Sequence, residues 1–141
     1  QALENFEENS TYKKSLDIKD FDIFFAKGLS LENGASTITN FTATLIANGM
    51  KHAHRMRQSI IYKWLVCGGG RKNKYLLEGI KNSFEKISIE PIDQYEIDGD
   101  FVESQAFGYL AIRSFLKLPI SFPSTTGCKE PSTGGVLVEN F

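Results

Sequence analysis

The fold is decided by one stretch of the sequence, Ile60-Ile61-Tyr62-Lys63-Trp64-Leu65-Val66-Cys67-Gly68-Gly69-Gly70-Arg71-Lys72-Asn73. Its first eight residues are rich in β-branched and aromatic types, which predicts a strand buried on both faces, as parallel sheets require. The glycines end this strand, and residues 73–86 then predict a helix with Tyr75, Leu76, Ile80 and Phe84 on its inner side. Residues 87–90 predict a second strand, and strand, helix and strand together are expected to form a right-handed βαβ unit.

Two further helices flank this unit. Ser30 is a candidate N-cap for a helix over residues 30–52, with Asn33 at the capping-box position. Asp100 and Glu103 have the spacing of a capping box for a helix over residues 101–117. Apolar residues at helical spacing predict the inward faces, which are Leu31, Ala35, Ile38, Phe41, Leu45 and Ile46 in the first helix and Val102, Ala106, Phe107, Leu110, Ala111 and Phe115 in the second.

The ends of the chain are expected to be less regular. Residues 1–20 are polar and predict an arm with a short helix, whereas proline and glycine beyond Leu118 predict loops. Residues 136–138 are expected to form a short edge strand. The whole chain, residues 1–141, is therefore interpreted as one α/β domain with an N-terminal arm.

Composition excludes several classes of protein. The 141 residues are 41% apolar and 23% charged with a formal net charge of -1, which is ordinary globular usage and argues against a dedicated nucleic-acid binder. The apolar runs are far shorter than the roughly 20 residues that cross a bilayer. Cys67 and Cys128 form neither a disulfide framework nor a metal motif, and reduced thiols are expected. A cytoplasmic protein with no membrane contact and no metal-ligand cluster is predicted.

The glycine triplet is the strongest candidate for a binding site. Without side chains at Gly68, Gly69 and Gly70, a ligand can approach the backbone N–H groups at the start of the next helix, where Asn73 lies. In an open parallel sheet, this crevice at the carboxyl end of a strand is where ligands bind. The alternative is a tight turn, for which one glycine would suffice. The spacing matches neither a Walker loop nor a dinucleotide fingerprint.

Other polar residues leave two interpretations open. Glu103, in the first turn of its helix beside Asp98 and Asp100, either caps the helix or accepts a hydrogen bond from a substrate hydroxyl. Residues 124–127, Ser-Thr-Thr-Gly, either offer hydroxyls to a ligand or form a turn. His52 and His54 do not share a helical face and make a poor metal pair.

Three blocks of sequence, taken in order, resemble the C-terminal half of anhydro-N-acetylmuramic acid kinases. They are Leu65 to Asn73, the segment Ile97-Asp98-Gly99-Asp100-Phe101-Val102-Glu103-Ser104-Gln105-Ala106-Phe107-Gly108-Tyr109-Leu110-Ala111, and Leu118-Pro119 with Pro123-Ser124-Thr125-Thr126-Gly127. Upstream, Lys14-Ser15-Leu16-Asp17, Asp20-Phe21 and residues 31–47 also look like that family. The resemblance covers essentially the whole chain, and the Asp-x-Val-Glu-x-x-Ala-Phe block is its most specific part.

The resemblance implies a fold, a reaction and site residues. The fold is the C-terminal lobe of a two-lobed, actin-like ATPase related to hexokinases, with a ribonuclease-H-like core in which helices flank a mixed sheet. The reaction uses ATP, Mg²⁺ and water to open the ring of 1,6-anhydro-N-acetylmuramic acid and to phosphorylate O6, for cell-wall recycling. Gly68, Gly69 and Gly70 line the adenosine side with Asn73 at the helix start, and Glu103 reaches the sugar.

The sequence departs from that family in one respect that limits its activity. The N-terminal phosphate-binding loop and the segment with the catalytic aspartate are not found among these residues, so no catalytic residue is assigned to them. Phosphoryl transfer needs groups from both sides of the cleft. The chain alone is therefore predicted to be inactive and to need a separately encoded N-terminal lobe or to derive from a truncated gene. The alternatives are a non-catalytic module that pairs with a second copy, and a different sugar kinase of the same superfamily.

Overall fold

The structure is a computed structural model that describes residues 21–56 and 62–138. The predicted arm over residues 1–20 lies outside the described residues. The helices are α1 (Leu31–Met56), α2 (Lys74–Lys81), α3 (Val102–Phe115) and α4 (Pro123–Thr126), and the strands are β1 (Lys63–Val66) and β2 (Ser88–Pro91). Short 3-10 helices lie at Phe24–Ala26, Gly69–Lys72 and Ile92–Tyr95.

Helix α1 begins where the sequence predicts. The Oγ of Ser30 accepts a hydrogen bond from the Asn33 N–H at 3.2 Å, which confirms Ser30 as the cap. The helix continues four residues beyond the predicted end. Its buried residues are Phe41, Ala43 and Ala47, whereas Leu31 and Ile46 of the predicted stripe are exposed, so the buried face is narrower than expected.

The two strands confirm the parallel βαβ arrangement. Strand β1 pairs with β2 in parallel, with Lys63 opposite Ser88 and Val66 opposite Pro91. The prediction that β1 is buried on both faces is wrong, because burial alternates along it and Leu65 is 45% exposed. Cys67, at its end, is also exposed. Among the described residues, α1 and α2 pack with the strands around one core, and that core contacts only the Trp64 and Val66 side of β1.

Helix α2 packs on α1 at close range. Ile80 is 3% exposed and joins Ala43 and Ile89 in the core, with Met50, Trp64, Val66, Leu76 and Phe84 against them. A Cβ atom at Gly79 would lie 2.9 Å from the Cβ of Ala43, so the two helices approach too closely for a side chain there.

Two details of the predicted α2 are wrong. The helix ends at Lys81, five residues before the predicted end. Tyr75 is 81% exposed, while Leu77 is buried. Residues two positions apart are separated by about 200° around a helix, so burying Leu77 directs Tyr75 to the opposite side.

Helix α3 has its predicted position and an unexpected surface. None of its residues is buried, and Phe107 and Phe115 are 63% and 67% exposed, so the predicted inward packing is wrong for the described residues. The capping-box prediction is also wrong, because Phe101 occupies the N-cap position without a side-chain cap. The carboxylate of Asp100 instead accepts hydrogen bonds from Arg71 and Lys72.

Residues 136–138 are described but form no strand, which corrects the predicted edge strand. An isolated antiparallel bridge between Ser121 and Ser132 is found instead. The fold class, an α/β arrangement of a small parallel sheet with helices, is confirmed. None of the helices in residues 21–56 and 62–138 combines the length and the apolarity that a membrane span needs.

Candidate functional site

The glycine turn, residues 68–72, follows the carboxyl end of β1. Gly68 has a φ of 77°, in the left-handed region that favours glycine. Its N–H donates to the carbonyl of Gly99 at 2.9 Å, and its carbonyl accepts from the Arg71 N–H at 3.2 Å. Gly68 is therefore required by the turn itself, and its backbone is held by the chain rather than free for a ligand.

Gly69 and Gly70 differ from Gly68 in this respect. They open the 3-10 helix Gly69–Lys72, and within the described residues neither N–H donates a hydrogen bond. A Cβ atom at Gly69 would meet no atom within 4 Å, and one at Gly70 would be in ordinary contact with Leu76 at 3.5 Å. The fold therefore does not require glycine at position 69, and the open space favours close approach of a ligand.

Arg71 is the centre of a hydrogen-bonded cluster beside this turn. Its side chain is only 6% exposed. The Nε and Nη2 atoms donate to the two carboxylate oxygens of Asp93 at 2.7 and 2.8 Å. Nη1 donates to Asp100 at 2.6 Å and to the carbonyl of Gly68 at 2.9 Å. The guanidinium thus satisfies the backbone of the turn and binds two carboxylates from later segments.

The charges in this cluster stabilise one another. Hydrogen bonds from Arg71 and Lys72 lower the pKa of Asp100 from 3.8 to about 2. The Arg71 hydrogen bonds hold the pKa of Asp93 well below its usual range and raise that of Arg71. Both carboxylates are therefore ionised at neutral pH, as the buried guanidinium requires.

Asn73 has a defined structural role. It is the N-cap of α2, and its Oδ1 accepts a hydrogen bond from the Leu76 N–H at 3.1 Å. The cap uses Oδ1, and the amide nitrogen of Asn73 could donate a hydrogen bond to a ligand. Glu103 lies in the first turn of α3 and is exposed, three residues after Asp100. The Arg71 cluster thus ties the segment preceding Glu103 to the glycine turn.

Sequence reasoning missed Arg71 and Asp93. The signal was present, because an arginine directly follows the glycine triplet and three aspartates follow between residues 93 and 100. A buried position for Arg71 could not be read from periodicity, since the residue lies in a turn. Gly99 is part of the same arrangement, because a Cβ atom there would lie 2.4 Å from the Nε of Arg71.

The hydroxyl-rich segment at residues 124–127 is better explained as a turn than as a site. The Oγ1 atoms of Thr125 and Thr126 both donate to the carbonyl of Phe122, at 3.1 and 3.2 Å. Gly127 has a φ of 72° at the C-terminus of α4. These hydroxyl groups are therefore engaged in local hydrogen bonds to the backbone of the short helix.

A separate apolar groove of about 490 Å³ borders the exposed face of α3. None of the predicted site residues lines it. Its walls include Phe107, Leu110, Phe115, Ile120, Val136 and Leu137.

The implied ligands fit this chain to different degrees. The free N–H groups of Gly69 and Gly70 and the open space beside Gly69 suit a nucleotide. Across residues 21–56 and 62–138, no group of three histidine, cysteine, aspartate or glutamate residues is arranged to hold a metal ion. Asp93 and Asp100 are already bound by Arg71, and no residue of the described segments is therefore assigned to Mg²⁺.

Comparison with known proteins identifies a family that this sequence matches. The sequence profile described as anhydro-N-acetylmuramic acid kinase matches residues 18–140. A protein named anhydro-N-acetylmuramic acid kinase from Pelagibacter ubique is 52% identical over 143 residues, covering 100% of this chain and 38% of that relative. Proteins of the same name from Rhizorhabdus wittichii and Zymomonas mobilis are 45% and 41% identical over 87% and 86% of this chain, and 32% of each relative. The chain thus spans about a third of the length of the curated relatives it matches.

Proposed function

The chain belongs to the anhydro-N-acetylmuramic acid kinase family, and we propose that it forms the nucleotide- and sugar-binding part of the C-terminal lobe in an ATP-dependent sugar kinase. The proposed reaction transfers the γ-phosphoryl group of ATP to O6 of 1,6-anhydro-N-acetylmuramic acid. Water adds at the anomeric carbon as the bond to O6 breaks, so that the products are N-acetylmuramic acid 6-phosphate and ADP. Mg²⁺ would neutralise phosphate charge in this reaction.

The observation that carries this proposal is the open backbone at Gly69 and Gly70. Their N–H groups lie directly after a parallel strand, at the edge of the sheet where ligands bind in open α/β folds. The space where a Cβ atom of Gly69 would stand is empty, although the local backbone conformation does not demand glycine. A nucleotide that lies against the main chain would explain glycine at this position.

Asn73 and Glu103 have complementary proposed roles. The amide nitrogen of Asn73 would donate to the nucleotide while Oδ1 remains the cap of α2. The exposed carboxylate of Glu103 would accept a hydrogen bond from a sugar hydroxyl, and its place in the first turn of α3 favours a negative charge.

The 141 residues alone are proposed to be inactive, because they correspond to about a third of their relatives. The rest of the kinase, including an N-terminal lobe with the catalytic aspartate, would be the proposed partner. Since ATP is the proposed phosphoryl donor, the cytoplasm is the proposed compartment, and cell-wall recycling is the proposed role.

A chimera tests this function directly. The segment of the Pelagibacter ubique relative that matches this chain would be replaced by the 141 residues, and ADP release and the phosphorylated sugar would be measured. We expect turnover of 1,6-anhydro-N-acetylmuramic acid by the chimera and none by the chain alone. The unaltered relative is the control. A folded but inactive chimera beside an active relative would refute the proposal, and turnover by the chain alone would refute its dependence on a second lobe.

The exposed groove on α3 favours one other candidate, a non-catalytic module in which a second copy of the chain covers this surface. Its apolar walls would bury Phe107 and Phe115 on association. Sedimentation of the 141-residue chain tests this candidate, because a non-catalytic paired module requires a dimer and is excluded by a monomer at micromolar concentration.

A different sugar kinase of the same superfamily is the remaining alternative. Turnover of a different sugar by the chimera would indicate it.

A further inference from the structure

We infer that Arg71 is a positioning residue of the proposed kinase, whose guanidinium fixes the nucleotide-side glycine turn relative to the start of the helix that carries Glu103. This inference rests on the proposed function. Arg71 itself is proposed to contact neither the nucleotide nor the sugar.

Arg71 and Asp93 form a bidentate ion pair. Two parallel N–H groups of the guanidinium donate to the two oxygens of one carboxylate, at 2.7 and 2.8 Å. Such a bidentate pair fixes orientation as well as distance, which a lysine ammonium does not. Asp93 also accepts from the Gly99 N–H at 3.3 Å, so the same carboxylate holds the approach to α3.

The glycine turn and the segment that leads into α3 meet at the Arg71 side chain. Nη1 donates to the carbonyl of Gly68 in the glycine turn and to Asp100, the residue that precedes the N-cap of α3. The Gly68 N–H in turn donates to the carbonyl of Gly99. Two segments that are about 30 residues apart in sequence are therefore joined by side-chain and backbone bonds at one point.

Arg71 is far more buried than the carboxylates that it binds. The side chain of Arg71 is 6% exposed, whereas those of Asp93 and Asp100 are 43% and 45% exposed. A buried guanidinium that lost these acceptors would be costly, so the arrangement has one favourable geometry. The cluster does not include the core residues Ala43, Ile80 and Ile89, and it contacts the segments that bear the proposed ligand contacts.

Kinetics of the chimera test the inference. Arg71→Lys keeps the charge and loses the bidentate geometry, and we expect kcat/KM to fall by about 10- to 100-fold, as for misplaced catalytic groups in general. Arg113→Lys is the matched control. Arg113 also bonds a carbonyl through Nε, that of Pro119 at 2.8 Å, but is not joined to the glycine turn. The kcat/KM of the Arg113→Lys chimera should stay within about twofold of that of the unsubstituted chimera, because the hydrogen bonds of Arg113 go to Pro119 and Tyr109, away from the glycine turn.

A double substitution separates positioning from general loss of structure. If Arg71 acts through the placement of Glu103, Arg71→Lys combined with Glu103→Gln should be little worse than Glu103→Gln alone. If the kcat/KM losses of the two single variants multiply in the double variant, the inference is overturned. An Arg71→Lys chimera that is as active as its parent would overturn it as well. An inactive unsubstituted chimera would instead overturn the proposed function itself.

Amide hydrogen exchange of the 141-residue chain provides a measurement that needs no activity. Arg71→Lys should speed exchange at residues 68–72 and 98–103 together, while the buried part of α1 and α2 keeps its protection. Faster exchange confined to the substituted residue, or spread over the whole chain, would overturn the positioning role.

Discussion

Gly68, Gly69 and Gly70 are adjacent and identical in chemistry, yet the structure gives them separate roles. Gly68 has the left-handed conformation and a bonded N–H, whereas Gly69 has open space and a free N–H among the described residues. A sequence shows the number of glycines but not their individual φ angles. The structure therefore narrows the proposed nucleotide contact from three residues to Gly69 and Gly70.

Gly69→Val should weaken nucleotide binding without unfolding the protein. The added side chain would enter empty space in the folded chain and would block the proposed approach of the nucleotide. We expect Kd for ADP, measured by calorimetry on the chimera, to rise by at least about tenfold, or 1.4 kcal/mol. Gly34→Val is the control, because a Cβ there would make only an ordinary contact with Leu29 at 3.9 Å. Unchanged ADP affinity in folded Gly69→Val would contradict the assignment.

Asp100 should give the protein a distinct response to acid. Its pKa is about 2 in the folded state and 3.8 without its partners. A lowered pKa stabilises the folded state above pH 4, and this contribution is lost as pH falls from about 4 to 2. Asp100→Asn should therefore be less stable than the parent at pH 7, with a difference that shrinks through this window.

Urea unfolding of the 141-residue chain at pH 7, 4, 3 and 2 measures this difference. A stability gap between Asp100→Asn and the parent that is the same at pH 7 and pH 2 would show that the ionised carboxylate does not matter. The difference in stability between Asp93→Asn and the parent should also shrink as the pH falls, because the pKa of Asp93 is also lowered by Arg71.

At the scale of elements, local signals placed the helix starts better than the helix ends. Ser30 and Asn73 both cap helices through side-chain oxygens, and both were identified as helix-start residues from sequence. The capping box at Asp100 and Glu103 failed, because Arg71 and Lys72 bind the Asp100 carboxylate. A carboxylate that could cap a helix can instead bind a cation from a distant segment. A rule based on local spacing does not include that cation.

Asn73 allows its structural and ligand roles to be separated. Asn73→Ala removes the cap of α2 and should lower the free energy of unfolding by about 1 kcal/mol. Asn73→Asp keeps an oxygen acceptor for the Leu76 N–H but removes the amide nitrogen, so stability should be retained while ADP affinity falls. Urea unfolding of the chain and calorimetry on the chimera measure the two effects. Equal ADP affinity for Asn73→Asp and the parent would leave Asn73 as a cap only.

At the scale of the whole molecule, the described core is small and does not include α3. It centres on Ala43, Ile80 and Ile89 between α1, α2 and the strands. Helix α3 contributes no buried residue, although its sequence has the apolar pattern of a packed helix. Phe107, Leu110, Ala111 and Phe115 of that pattern line the exposed groove instead.

Alanine substitutions should show that the core contributes much more to stability than the exposed face of α3. Ile80→Ala should cost about 2–5 kcal/mol of stability, because it leaves a cavity in the core. Phe107→Ala should change stability by less than about 0.5 kcal/mol in the 141-residue chain, since Phe107 is 63% exposed. Urea midpoints of both variants test this, and a Phe107→Ala loss as large as that of Ile80→Ala would show that α3 is packed in solution.

The sequence by itself determined the α/β class, the parallel strand pair with its crossover helix, the cap at Ser30, the start of α2 at Asn73 and the resemblance to a kinase family. These features depend on residues close together in the chain, where periodicity and turn chemistry act directly. The tertiary structure alone decided that Arg71 is buried, that it binds Asp93 and Asp100, that Gly68 differs from Gly69, that one face of β1 remains exposed and that no residue of α3 is fully buried. Burial and ion pairing depend on which distant segments meet in space, and no local pattern contains that information.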